Sequence, residues 1–243
     1  MKKKDIIIVV VISVLVIGAG AFLFMEQRHK KMVSDFAKLS DQTTITYLAF
    51  SIYLSASITT EGLNNIYDDT RKYWQDYITC YVYGSSTYNL KSFNDVMDRL
   101  DKEYAEEYDS IKLALKTVSN VKNSLTFIDT HNNEKYASYK KTAIDFADAY
   151  INLTDAIIGI NTTYNDYPRK VGDAISTYNP LSNQLDTLIK KNEKDYDKYK
   201  EFIIKNKLNK YCNTDIKKLD GYTVYQVCDK NIREHLKLEE IDY

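Results

Sequence analysis

Three cysteines, three histidines and an excess of tyrosine are the side chains through which this 243-residue chain could do chemistry. Cys212 and Cys228 are the pair whose spacing suggests a covalent bond. Between them, Leu219-Asp220-Gly221 runs into Tyr-Thr-Val-Tyr-Gln-Val (222–227), turn residues beside strong strand formers, which predicts a β-hairpin with a three-residue loop. In that register Lys218 opposes Tyr222 and Cys212 faces Cys228. A bridge closing a loop of about 17 residues stabilises by ~3 kcal/mol in the chain-entropy model and requires an oxidising compartment. Two buried free thiols are the alternative. Cys80, in Tyr77-Ile78-Thr79-Cys80-Tyr81, falls on a helical seam and reads as core. The Cys212–Cys228 spacing has no histidine pair near it and gives no zinc site.

The histidines offer less. His29, His131 and His235 are far apart in sequence and none has a partner at metal-ligand spacing. Glu26 and His29 form the single Glu-x-x-His spacing, where a di-iron bundle needs two. The cluster Glu103, Glu106, Glu107 and Asp109 could attract a cation, but Lys102 and Lys112 beside it make it a solvated helix face. Phosphate-binding glycine loops, nucleophile elbows, zinc-protease helices and calcium loops are missing from the chain. The expectation is no catalytic, cofactor-binding or metal-binding residue, and no enzyme.

Tyrosine remains. There are 22 Tyr against 8 Phe. Such rings suit a half-wet bundle seam, with the ring inside and the hydroxyl in water. They also suit a recognition face, because Tyr is enriched where proteins bind partners. The densest patch is Tyr67, Tyr73, Trp74, Tyr77, Tyr81, Tyr83 and Tyr88, which includes the single Trp. Core packing and a binding surface are both open readings of it.

The elements that position these residues are helices. With 7 Gly and 2 Pro the chain is too poor in turn formers for a sandwich, barrel or α/β enzyme. Residues recur at helical spacing: Ile45, Leu48, Ile52, Ser55, Thr59, Gly62 and Ile66, with small residues at the middle; Phe93, Met97, Leu100, Tyr104, Tyr108, Ile111, Leu115 and Val118; Leu181, Leu185 and Leu188, then Tyr199 and Phe202. Tyr139, Ala143, Phe146, Tyr150, Leu153, Ile157, Ile160 and Tyr164 keep strict steps of four and three, a heptad seam of coiled-coil type. Breaks at Gly84-Ser85-Ser86-Thr87 and Thr130-His131-Asn132-Asn133, with Pro168 as a kink and Asn179-Pro180 as a helix start, predict helices over about 34–83, 89–129, 134–178 and 180–208. A short helix is expected over about 230–240.

Ile6 to Phe24 is a run of 19 residues without a charge. As a helix it spans roughly 28 Å, close to the ~30 Å hydrocarbon core of a bilayer. Lys2, Lys3 and Lys4 precede it, while Arg28, Lys30 and Lys31 follow, so the positive-inside rule is nearly tied, with the Lys-rich head tilting the amino end inside. Ala19-Gly20-Ala21 also fits a signal-peptide cleavage site, but the apolar run continues past it through Phe22, Leu23, Phe24 and Met25.

The expected fold is all-α: an N-terminal transmembrane helix, then an elongated antiparallel bundle of about four long helices, then a small C-terminal β-hairpin and helix. The domains are 1–25, a short cytoplasmic head and anchor; 26–208, the bundle; and 209–243, the hairpin unit. One anchor followed by a helical bundle resembles the extracytoplasmic sensing domains of bacterial receptors, although no second span or signalling part follows the bundle. With 33 basic and 34 acidic residues the chain lacks the basic face that nucleic acid needs. The expected function is a membrane-anchored, extracytoplasmic binding or scaffold module, at a cell surface or in a periplasm. Its partner is another protein or a second copy. A small-ligand sensor signalling through a partner membrane protein is the alternative. Deleting residues 1–25 should release a soluble, strongly helical protein, and sedimentation with membranes after high-salt washing would refute a single anchor.

Overall fold

The computed structural model describes the backbone of residues 3–238 and the side chains of residues 25–238. Its elements are α1 (Lys3–Tyr83), α2 (Phe93–Glu103), α3 (Ala105–Phe127), α4 (Glu134–Ile158), α5 (Tyr167–Asn192), α6 (Lys194–Lys205), two 3₁₀ turns (Leu208–Tyr211 and Ile216–Lys218) and α7 (Gly221–His235). There is no strand among the described residues. Nor is any helix among them long and apolar enough to cross a membrane. The run Ile6–Phe24, expected as the anchor, lies outside the residues whose side chains are described.

The described residues form two compact units. One is Gln42–Asp195; the other takes the chain up to Asp41 and again from Tyr196 onward.

Gln42–Asp195 is an up-down-up-down four-helix bundle. Along α1, Tyr53 meets Phe146 of α4 at 6.0 Å between ring centroids, and Thr59 meets the Tyr150 hydroxyl at 2.6 Å. Contacts advance together along both chains, so α1 and α4 are parallel. Tyr67 lies 5.6 Å from Tyr167 of α5, while Thr60 bonds Tyr178 at 3.2 Å, so α5 runs the other way. Tyr73 meets Glu103, Tyr104 reaches Asp69 at 2.7 Å and Glu107 lies against Gly62, so the α2–α3 arm is antiparallel to α1 as well. The α4 seam is the centre of the core: Tyr139, Ala143, Phe146, Tyr150, Leu153 and Ile157 are all buried.

The helix ends have local causes. Ser92 and Asp95 form a reciprocal capping box at the start of α2, and Asn133 accepts the Lys135 amide at the start of α4. The long helix expected over 89–129 is broken at Tyr104, whose φ of −117° and ψ of 25° interrupt the spiral. Its hydroxyl donates to Asp69 on α1, a bond the adjacent backbone has to accommodate.

Three further sequence expectations are overturned. The helix expected over 134–178 ends at Ile158, so Ile160 and Tyr164 of its seam lie beyond α4, and a separate helix begins at Tyr167. Asn179-Pro180 does not start a helix: Pro180 lies inside α5, and Pro168 occupies the helix's first turn, where a missing N–H costs nothing. The buried face Val171, Tyr178 and Leu185 continues across Pro180 at heptad spacing, so packing outweighs the lost backbone bond. The C-terminal β-hairpin is absent, and residues 222–227 belong to α7. Asp220 caps that helix by accepting the Thr223 amide at 2.8 Å, and Val224, Tyr225, Cys228 and Ile232 form its buried stripe. A good N-cap and a helical apolar stripe override the strand propensity of Tyr, Thr and Val. Gly221 is obligatory for packing, because a Cβ there would sit 2.5 Å from the Tyr196 backbone.

Leu153 is 3% exposed at the centre of the bundle. Leu153→Ala should therefore cost about 2–5 kcal/mol of unfolding free energy. An unchanged chemical-denaturation midpoint would show that the α4 seam is not core.

Candidate interaction surface at the end of the first helix

The tyrosine patch separates by position. Trp74 is buried, with ring centroids of Phe93, Tyr164 and Tyr167 at 4.7, 5.7 and 5.9 Å. Tyr73 is buried too. Tyr67, Tyr77 and Tyr88 are half-buried, and Arg71 lies 5.6 Å over the Tyr67 ring. Tyr81 and Tyr83, in contrast, are 80% and 79% exposed, with Val82 between them at 58%. Three large apolar side chains in a row therefore face water on the last turn of α1. The inner part of the patch is core and its outer part is surface.

A polar framework holds the outer part. Gly84 ends α1 in the left-handed region at φ 78°, its amide donating to the Cys80 carbonyl at 2.8 Å. The chain then turns around the carboxylate of Asp76, which accepts the Ser86 hydroxyl at 2.7 Å, the Tyr88 amide at 3.0 Å and the Leu90 amide at 3.3 Å. Burial pushes the Asp76 carboxyl up, but these bonds together outweigh it, and the group titrates below the usual carboxylate range.

Arg99 of α2 is the second clamp. Its guanidinium lies 4.7 Å from the Tyr73 ring and 4.5 Å from the Tyr88 ring, while the two rings meet edge to face at 5.1 Å. Glu103 binds Arg99 at 2.8 Å and accepts the Tyr73 hydroxyl at 2.5 Å. Burial, then the bond to Glu103, raises the Tyr73 phenol; burial, then Asp69, raises that of Tyr104. Both remain neutral donors. Cation–π contacts of this kind contribute about 0.5–1 kcal/mol each at exposed sites.

The clamped segment carries no charge. From Ile78 to Leu90 there is no Asp, Glu, Lys, Arg or His, in a chain with 28% charged residues. Tyr81 to Asn89 consists of Tyr, Val, Gly, Ser, Thr and Asn, the composition of antibody recognition loops. What the arrangement can do is present a pre-ordered aromatic surface with adaptable hydroxyls and amides around it.

Asp76 was missed by sequence reasoning. A signal for it exists: an acidic residue on the buried seam between Tyr73 and Cys80, followed by a stretch of loop amides with no other carboxylate among them. Elsewhere, two open grooves mark the bundle surface. One of about 370 Å³ is lined by residues that include Met97, Asp101, Tyr108, Asp109 and Ile158; burial, then Asp101, pushes the Tyr108 phenol up to about 12. The other, of about 320 Å³, lies beside Ala137, Lys140 and Ile144. Among the described residues no three His, Cys, Asp or Glu side chains gather to hold a metal ion.

Relatives do not decide the matter. No protein-family model, curated protein or solved structure matches the chain.

Because the folded Asp76 carboxyl titrates below its unfolded value, its stabilisation is complete above about pH 4 and is lost as pH falls through the lowered value. Asp76→Ala should cost about 1–3 kcal/mol and expose the Tyr88 and Leu90 amides to hydrogen exchange. Unchanged protection of those two amides would remove Asp76 from the framework.

Proposed function

We propose that this chain is a membrane-anchored, extracytoplasmic helical module that acts by binding a protein partner through the carboxy-terminal tip of α1. The observation that carries this reading is the exposure of Tyr81, Val82 and Tyr83 beside a charge-free loop held in place by Asp76 and Arg99. Interface cores are depleted in charge and enriched in Tyr, whereas a bundle surface of this overall composition is expected to be charged. Pre-ordering of the loop lowers the entropy lost on binding.

The anchor is the run Ile6–Phe24, on the same helix that ends in the aromatic tip. The extracytoplasmic side is favoured by the Lys-rich head and by the Cys212–Cys228 pair, since a persistent disulfide belongs to an oxidising compartment. Catalysis has no support in the tip, which holds neither a base nor a nucleophile in a cleft. A small-ligand sensor is the second reading, and the groove beside Tyr108 is the feature that favours it.

Site-specific photo-crosslinking in the native host tests the proposal. A photoreactive residue at position 83 should give a discrete adduct with one protein. The adduct should disappear in a Tyr81→Ser variant, whose unfolding midpoint should stay within about 0.5 kcal/mol of the parent because the side chain is exposed. Adducts from a probe at the exposed position 127 but none from position 83 would place the interface elsewhere.

A further inference from the structure

The outer face of α1 within the four-helix bundle is built unlike a surface that meets water. From Gln42 to Thr60 there are 19 residues without Asp, Glu, Lys, Arg or His, in a chain with 28% charged residues. One side of this stretch is accounted for, because Ile45, Leu48, Ile52, Ala56 and Thr59 are buried in the core. On the opposite side Ser51, Leu54 and Ile58 follow at steps of three and four, a second seam of coiled-coil type, and Glu61 ends it in charge. Leu54 is 44% exposed and Ile58 is 70% exposed, with the exposed Ser57 beside them and the half-buried Phe50 one turn earlier. Outward positions of the other helices carry charge, as at Lys116 of α3, Asp155 of α4 and Asp173 of α5. A helix that is uncharged and largely apolar all round is one that has neighbours on both sides.

The chemistry of this face selects its occupant. The Ser51 hydroxyl donates to the Tyr47 carbonyl at 3.0 Å, and Thr60 donates to the Ala56 carbonyl at 3.0 Å, so desolvating these groups strands no donor. In a two-fold contact each seam residue meets its own copy, and a charged seam would set like against like. A seam of Ser, Leu and Ile avoids that conflict, and contacts between identical chains are more apolar than other interfaces. The run Ile6–Phe24 lies on the same helix, so two anchored copies present α1 to each other in parallel. For that orientation the inference rests on the membrane-anchored reading above. Roughly three turns of helix are too few for the interface of about 1,200 Å² that a stable complex in solution needs, and confinement to one bilayer supplies the missing effective concentration.

We propose that a second copy of this chain covers the outer face of α1, in a parallel two-fold pair that packs Leu54 and Ile58 against the same residues of the partner copy. The seam stops at Glu61, well short of Tyr81, so pairing leaves the aromatic tip uncovered. A parallel pair also carries both tips at the same end. A partner with two matching sites then engages both, and the second contact forms at the high effective concentration set by the first.

Full-length Leu54→Cys and Ile58→Cys chains, reconstituted in phosphatidylcholine vesicles and oxidised with copper phenanthroline, test the contact. The controls are Leu113→Cys on α3, a position 67% exposed, and the parent chain, whose free thiol Cys80 is buried. Covalent dimer should form on the order of tenfold faster at 54 and 58 than at 113, because only facing positions bring Cβ atoms within the bridging reach of about 3.5–4.5 Å. Adding Ile58→Glu to the Leu54→Cys chain should abolish the dimer and leave the thermal unfolding midpoint unchanged, since that side chain is exposed. Equal rates at 54, 58 and 113, or a dimer that survives Ile58→Glu, overturn the inference. Chain that pellets with the vesicles yet stays monomeric overturns the pair and leaves the anchor standing. Chain that remains in the supernatant overturns the anchor and, with it, the parallel pair.

Discussion

A phenol ring is a large apolar body with one polar atom at its end, and a buried tyrosine has to bring that atom to a partner. In the four-helix bundle this requirement sets the axial register of the helices. Tyr150 of α4 reaches Thr59 of α1, Tyr178 of α5 reaches Thr60, Tyr136 of α4 donates to Asp195, and Tyr167 of α5 donates to the Ile157 carbonyl of α4. Each bond joins two elements, and the buried ones, those of Tyr150, Tyr136 and Tyr167, would leave an unsatisfied oxygen if one helix slid by a residue. Leu or Ile at these positions would pack without making that distinction. Burial, reinforced at Tyr136 by the neighbouring Asp195 carboxylate, raises the phenols of Tyr136 and Tyr167, so both remain neutral donors. The abundance of tyrosine is thus largely a property of the core.

The helices were legible because their information is periodic. The seam read from Tyr139 to Tyr164 holds for five turns, as far as Ile157, and its last two positions, Ile160 and Tyr164, fall beyond the end of α4 at Ile158. The features missed are those where a single residue decides. Pro180 reads as a helix start, but the heptad Val171, Tyr178, Leu185 carries the helix through it. Leu219-Asp220-Gly221 reads as a hairpin loop, but the same Asp-Gly step serves as N-cap and first residue of α7. The two structures share their turn chemistry and differ only in what the following residues bury. Cys212 and Cys228 meet through that helix, by a different geometry from the strand register.

The surface patch was half legible for a related reason. Aromatic density does not separate rings that fill a core from rings that leave it, so Trp74 and Tyr83 look alike in sequence. Their fates follow from where α1 runs out of neighbours. Trp74 still has α2 and α5 beside it, whereas Tyr81, Val82 and Tyr83 lie on the last turn. Asp76 belongs to neither group. Its role comes from amides twelve and fourteen residues further on, a relation that only the folded loop creates.

The absence of charge from Ile78 to Leu90 has a kinetic consequence. Oppositely charged surfaces draw partners together over distances comparable with the Debye length, about 8 Å at physiological ionic strength. An uncharged segment adds no such pull of its own, and a partner docking on it alone would meet it at the unsteered rate of roughly 10⁵–10⁶ M⁻¹s⁻¹. In the binding role proposed above, discrimination among partners would then rest on how slowly each one leaves. For the binding module proposed above, long residence would replace fast capture, and changes in salt would leave such an association nearly untouched.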